Sequence, residues 1–200
     1  MNDKHAYFSG LYGASNDPYS VRTRWYEQRK RALLMAALPR PRYRRAYEPG
    51  CGVGELTLDL AARCDSVLAS DFSEQAVQVA TRRTGALPHV RVERQRLPAD
   101  WPRDALPFDL IVLSEVAYFL DEGSVRQLAA CCARSLVADG TLVACDWRPD
   151  FEERATSTRT VHETLAALGL YRVVLHEEAD FLLQVWCGDE RSVAQREGIR

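Results

Sequence analysis

Glu48-Pro49-Gly50-Cys51-Gly52-Val53-Gly54-Glu55 is the stretch on which the reading of this chain turns. It follows a short strand-like run, Arg45–Glu48, and leads into a helical pattern, Leu56–Arg63. Glycines at alternate positions permit a tight strand-to-helix turn and let a ligand lie directly on the main chain, against the helix N-terminus. A dinucleotide fingerprint places glycine first, third and sixth; here the glycines are first, third and fifth, and Glu55 stands sixth. That spacing suits a ligand without a pyrophosphate, which an acid at the helix start would repel. Glu48 puts a carboxylate at the strand end, suited to a cation such as an ammonium. An ordinary glycine-rich turn is the alternative, and this motif alone does not choose between them.

Outward from that turn the chain alternates. Further strand-like runs are Ser66–Ser70, Val90–Glu93, Phe108–Ser114, Thr141–Asp146, Tyr171–Leu175 and Phe181–Trp186, with helical stretches Glu74–Thr84, Ser124–Leu136 and Arg159–Leu168 between most of them. Strands separated by helices predict right-handed crossovers and a parallel, doubly wound α/β sheet of seven strands covered on both faces. Leu110-Ile111-Val112-Leu113 reads as a central strand buried on both sides. Only His176–Asp180 separates the last two strands, so they form an antiparallel hairpin. Ahead of the sheet, Asp17-Pro18 predicts the start of a helix that runs through Leu38 and ends at Pro39 and Pro41. The expected organisation is a helical lid over 1–42, a sheet domain over 43–187 and a polar, fraying tail over 188–200.

Composition narrows the classes. With 46% hydrophobic residues and four Trp in 200, disorder is excluded. No apolar run approaches a membrane span, and Met1 to Gly10 is too polar for a signal peptide. The six cysteines (51, 64, 131, 132, 145, 187) hold no C-x-x-C pair and no zinc spacing with histidine. They read as core fillers in a reducing compartment, the cytoplasm, and no metal site is expected. The net charge of −2 hides a division. Residues 1–46 carry ten basic side chains against Asp3, Asp17 and Glu27, while the rest is acidic. Of the 26 basic residues only Lys4 and Lys30 are lysines.

Other strand ends complete the glycine turn. Asp71 ends the second strand, where an acid can accept both hydroxyls of a ribose, or else, with Ser73, can cap the following helix. Phe72 can lie against an adenine. Gln95-Arg96-Leu97 follow the third strand, where main-chain amides and a short apolar side chain can frame a base edge. Ser114-Glu115 end the fourth strand. Ligands in doubly wound sheets bind at that carboxyl edge. Together these groups make one site for an adenosine bearing an amino-acid tail.

Glu-x-Gly-x-Gly-x-Gly, the strand-end Asp71, and Phe108-Asp-Leu-Ile-Val-Leu-Ser-Glu115 resemble the class I S-adenosylmethionine-dependent methyltransferases over roughly Arg45 to Trp186. Asp17-Pro18-Tyr19, Arg29-x-Arg31-x-Leu33-Leu34 and Ser114–Leu120 resemble more closely the rhizobial nodulation N-methyltransferases, which act on the free amine of a de-N-acetylated chitooligosaccharide. Tyr19 stands where that type usually shows Trp, and Gly52-Val53 departs from its alanine-rich loop. The resemblance implies a Rossmann-like fold, S-adenosylmethionine as cofactor and S-adenosylhomocysteine as product. It implies Gly50, Cys51, Gly52 and Gly54 at the methionyl part, Glu48 near the ammonium, Asp71 on the ribose, and Phe72 and Leu97 on the adenine faces. Arg29 would reach the methionyl carboxylate and make the first helix a lid.

An amine acceptor must lose a proton before attack, and Glu115 is the candidate base or amine orienter; the alternative is that it binds the cofactor ammonium or local backbone. Tyr118, Trp147 and Tyr19 are candidates to line an acceptor pocket, and Asp146 and Arg148 end the fifth strand near it. His89 reads as structural, and His162 as a solvated helix residue. The expected partner is a small-molecule or amino-sugar acceptor. A small-molecule O-methyltransferase is the nearest alternative. A nucleic-acid methylase fits less well, because Ser114-Glu115-Val116-Ala117 replaces the Asn/Asp-Pro-Pro-Tyr motif of amino-base methylases; a non-catalytic binding protein is the remaining rival.

Overall fold

The structure, a computed structural model, describes residues 17–102 and 107–200, with Gly10 and Ser15. Among these, seven strands form one sheet: β1 Tyr43–Pro49, β2 Cys64–Asp71, β3 Val90–Arg94, β4 Phe108–Ser114, β5 Leu136–Trp147, β6 Tyr171–Glu177 and β7 Phe181–Cys187. Their order is β3-β2-β1-β4-β5-β7-β6. The first five run parallel and β7 is antiparallel to both its neighbours, as the short hairpin linker dictates. Strand order reverses between β1 and β4, which opens a crevice at the carboxyl edge there. The expected Rossmann-like, mostly parallel sheet with an antiparallel C-terminal hairpin is the fold of this chain.

The helices are α1 Trp25–Ala37, α2 Glu55–Ala61, α3 Glu74–Thr84, α4 Glu122–Ser135, α5 Thr158–Ala166 and a short α6 Val193–Arg196. Side-chain caps start four of them: Ser73, Asp121, Ser157 and Ser192 accept the N–H of Ala76, Ser124, Thr160 and Gln195. Leu110, Ile111, Val112 and Leu113 of β4 are fully buried, feeding one apolar layer beneath α4 and α5 and a second beneath α1 and α2. Asp109 fixes the neighbouring strand by accepting the main-chain N–H of Arg44 and Arg45 at 2.8 and 2.7 Å.

Two terminal expectations change. α1 begins at Trp25, after Arg24, and not at Asp17-Pro18. The Asp17 carboxylate instead accepts the N–H of Val21 and Arg22 at 2.9 and 3.2 Å, closing a turn. Most of the expected lid before residue 17, with Asp3 and Lys4, lies outside the described residues. The tail forms a capped turn instead of fraying: Ser192 and Gln195 make a reciprocal capping box, and Asp189 holds Arg191 and Arg196.

The basic head is docked on the acidic body. Arg22 and Arg31 meet Glu55, Arg31 also Asp59, Arg29 Glu178, Lys30 Glu115, Arg40 Asp139, Arg42 Asp65 and Arg44 Asp109. Arg42 and Arg44 are well exposed and contribute little. Arg63 adds a stronger tie, its guanidinium donating to the carbonyls of Met35, Leu38, Arg40 and Pro41 just where α1 ends.

Candidate active site

The glycine turn is built as its spacing requires. Gly50, Gly52 and Gly54 have φ of 79°, 53° and 82°, the left-handed region that side chains resist. A Cβ at Gly50 would stand 2.6 Å from Val116 Cγ2, and one at Gly54 3.1 Å from Ala80 Cβ. The first close approach matters most, because Val116 follows Glu115: it presses the glycine loop against the end of β4. Main-chain N–H groups of Gly50 and Cys51 donate to Ser70 O at 2.7 and 2.9 Å, locking the loop to β2. Gly50 and Gly54 are thus demanded twice, by left-handed backbone and by close packing on Val116 and Ala80.

Two buried carboxyls flank it. Asp71 accepts the N–H of Gly52 at 3.1 Å and of Ser73 at 2.9 Å, tying the glycine turn to the start of α3. A carboxylate offers about four acceptor directions, leaving two for vicinal hydroxyls. Burial pushes Asp71 up to about 6, against the pull of those amides. Glu48 accepts the Thr57 hydroxyl at 2.6 Å, and burial pushes it up to about 8. Glu48 is therefore largely protonated at neutral pH, and a cation brought beside it would favour its ionised form. Cys51 is buried and its thiol is pushed well up by burial, so it serves as an apolar wall.

Beyond β3 the expected frame for a base edge is otherwise engaged. Gln95 N–H donates to Asp71 O at 3.0 Å, and Arg96 N–H to Asp100 Oδ2 at 3.0 Å, so neither amide faces a ligand. The Gln95 side chain joins Tyr47 and Glu93 in the interior, and Arg96 pairs with Asp100. Leu97 packs on the large core cluster; half-buried Phe72 stays at the edge beside Asp71.

The fourth strand end carries the densest polar group. Glu115 has φ 56°, one of two non-glycine residues at positive φ among those described. Such strain persists only where surroundings enforce it. The Glu115 N–H donates to Cys145 O at 3.0 Å. Its carboxylate accepts from Lys30 Nζ at 2.7 Å, from Trp147 N–H at 3.1 Å and from the Tyr118 hydroxyl. Three donors on one carboxylate leave about one acceptor direction. Tyr118 is buried, with Arg154 over its ring at 4.9 Å, and forms an aromatic group with Phe119 and Phe151. Trp147 meets Tyr26 of α1 edge-on at 5.7 Å. Ser114 lies at the same edge, paired in register with Cys145.

Lys30, Tyr26 and Arg154 were not among the residues that sequence reasoning picked out. The available signal for Lys30 was its identity, one of two lysines in a chain that otherwise uses arginine. Arg29 does not reach the glycine loop: its guanidinium makes two hydrogen bonds to Glu178, at 2.8 and 2.7 Å, tying α1 to the C-terminal hairpin. Asp146 is fully buried; its Oδ2 lies 3.1 Å from His162 Nε2, and His162 Nδ1 lies 2.9 Å from Gln184 Oε1. His162 is thus interior, not solvated. Arg148 pairs with Glu177, and His89 Nε2 meets Ala61 O, the structural role expected of it. Tyr19 stands exposed on the turn before α1. Among the described residues no three His, Cys, Asp or Glu gather as a metal site, and no helix is long and apolar enough to cross a membrane.

Residues 46–140, from β1 into β5, match the family model described as a methyltransferase domain. A Pseudomonas syringae protein of known structure, assigned as a methyltransferase, is 48% identical over 82% of this chain and 99% of its own, with a TM-score of 0.73. The chain belongs to the S-adenosylmethionine-dependent methyltransferase family. Within it, Nodulation protein S of Bradyrhizobium diazoefficiens is 29% identical over 70% of this chain and 68% of its own length. The structure of the N-methyltransferase NodS from Bradyrhizobium japonicum, solved with S-adenosylhomocysteine, superposes with a TM-score of 0.81 at 24% identity, covering 92% of this chain and 97% of that one.

Proposed function

We propose that this chain N-methylates the free amine of a small molecule or of a de-N-acetylated amino sugar or oligosaccharide. The observation that carries the reading is Glu115: a carboxylate in strained backbone, held by three donors with one acceptor direction left, in contact through Val116 with the cofactor loop. Similarity to proteins described as N-methyltransferases supports the same choice.

Gly50, Cys51, Gly52 and Gly54 would hold the methionyl part, with Glu48 beside its ammonium, Asp71 on the ribose hydroxyls and Phe72 against the adenine. When bound, S-adenosylmethionine supplies a methyl group already activated on a sulfonium. What remains for the protein is alignment, exclusion of water and management of one proton, and alignment alone is worth several kcal/mol. Glu115 receives the N–H of the acceptor in its free direction and takes the proton that the amine must lose; Tyr118 and Trp147 hold the carboxylate in place. α1, docked by Arg29, Lys30, Arg31 and Arg63, serves as a lid over this edge. Arg29, Lys30 and Arg31 of the basic head are engaged in these internal pairs, which takes them away from a phosphate backbone. Six free, buried cysteines support a reducing, cytoplasmic setting.

The test is a panel of amino-sugar acceptors, each acetylated and deacetylated, with methyl-labelled S-adenosylmethionine. The expected result is label transfer to the deacetylated members alone. Transfer to hydroxyl acceptors, or tight cofactor binding with no turnover on any amine, overturns the proposal.

A further inference from the structure

α1 brings to the carboxyl edge a buried charge, Lys30. Lys30 is 5% exposed, a rare state for a side chain whose ammonium stays buried only when paired. Its Nζ lies 2.7 Å from Glu115 Oε1, 3.1 Å from Glu27 Oε2 and 5.0 Å from the Tyr26 ring centroid. The corner between two carboxylates and a ring suits a compact point charge with three rotatable donors, which the flat fork of arginine would reproduce only in part. It is filled by lysine in a chain whose other basic residues, apart from Lys4, are arginine.

We infer that Lys30 is a positioning residue for methyl transfer. Resting on the reading of Glu115 as the group that meets the acceptor, the Lys30 ammonium fixes that carboxylate in place beside Trp147 and Tyr118, turns its free direction toward the acceptor, and ties this position to the seating of α1. The titratable groups around Lys30 and Glu115 are Glu27 and Tyr26 of α1, Tyr118 after β4, and Cys145 and Asp146 of β5, with Asp180 of the hairpin turn acting on Tyr26. Burial alone pulls an ammonium down, yet Glu115 and Glu27 more than reverse this, so Lys30 keeps its charge across the working range. Take that charge away and the Glu27 and Glu115 carboxylates share one corner with no cation between them. Arg29, the next residue back, grips Glu178 instead and is a control for the seating of α1 alone.

The experiment compares Lys30→Met, Lys30→Arg and Arg29→Ala by three readouts: affinity for S-adenosylhomocysteine, crystal structures of those complexes, and kcat and KM against pH with an amine acceptor. Lys30→Met is expected to keep cofactor affinity within about three-fold while its Glu115 carboxylate leaves the Trp147 amide. Its kcat falls by about ten-fold or more, with the acid limb moved up by roughly one pH unit. Lys30→Arg restores the Glu115 position in part, and Arg29→Ala lowers the rate without moving the limb. Glu115 unmoved in Lys30→Met, with a superposable pH profile, overturns the inference. So does an equal loss of cofactor binding in both Lys30 variants, which would make the residue structural. Should the wild type methylate hydroxyls and not amines, the amine reading fails, and the Glu115 displacement and the pH limb still decide the role of Lys30.

Discussion

The two halves of the carboxyl edge are assembled in opposite ways. Around Gly50 the site is local: a strand, a turn of alternate glycines and a helix start, with Asp71 delivered by the next strand and bound to Gly52 N–H. Its specificity lies in the main chain, and its side chains mostly stay out of the way. Around Glu115 the site is tertiary: a strand end, a 3-10 turn at Ala117–Phe119, the end of β5 and a helix from the far N-terminus each add one group. A family that shares one donor and varies its acceptors would be built this way, with the constant half on backbone and the variable half on side chains.

If the halves are separable, substitutions should divide them. The largest effect is expected from Glu115→Gln, which keeps the shape and removes the proton acceptor: kcat with an amine falls by about a hundred-fold or more, while calorimetric affinity for S-adenosylhomocysteine holds. Loss of cofactor affinity in that variant would place Glu115 in the other half. Next comes Gly50→Ala, which forces a Cβ into Val116 at a φ of 79° and so strikes both halves at their contact. Cofactor affinity should drop more than ten-fold, with about 1–3 kcal/mol lost from unfolding free energy; wild-type affinity would mean the loop does not carry the ligand. Asp71→Ala should weaken cofactor binding by about ten-fold and leave KM for the acceptor nearly unchanged, as measured by steady-state kinetics at saturating cofactor. A raised acceptor KM with intact cofactor affinity would reverse that assignment.

The smallest effect is on pH. Burial raises Glu48 to about 8 and Asp71 to about 6. The folded chain then holds protons that the unfolded chain has lost. Stability therefore falls as pH climbs from the ordinary carboxyl range through about 6 at Asp71 and about 8 at Glu48. Glu48→Gln removes the Glu48 share of that decline, which runs from the ordinary carboxyl range to about 8, so its melting temperature should gain on wild type as pH rises from about 5 to about 8. A constant difference over that range would show that Glu48 titrates as an ordinary carboxyl.

What the sequence disclosed follows the same division. The glycine spacing, the apolar run of β4 and the five-residue hairpin linker each state a local constraint, and the fold and the shape of the glycine turn could be read from them. The start of α1 could not: Asp17-Pro18 has the composition of a helix cap, but Ser20 at φ 54° turns the chain away, and Arg24 precedes α1 without a side-chain cap. Nor could the partners of α1. Lys30 and Glu115 are 85 residues apart and Arg29 and Glu178 are 149, so only the closed sheet brings them together. The amides after β3 were misread for a related reason, since register places them at the edge while turn hydrogen bonds consume them.

The central claim is that the cofactor loop and Glu115 serve one transfer to nitrogen. Incubation with S-adenosylmethionine carrying a 13C-methyl group and a deacetylated amino-sugar oligomer, followed by NMR of the product, tests it most directly. The account predicts the labelled methyl bonded to nitrogen, with none on oxygen, and its disappearance in Glu115→Gln. A labelled O-methyl product, or N-methylation undiminished in that variant, would contradict it.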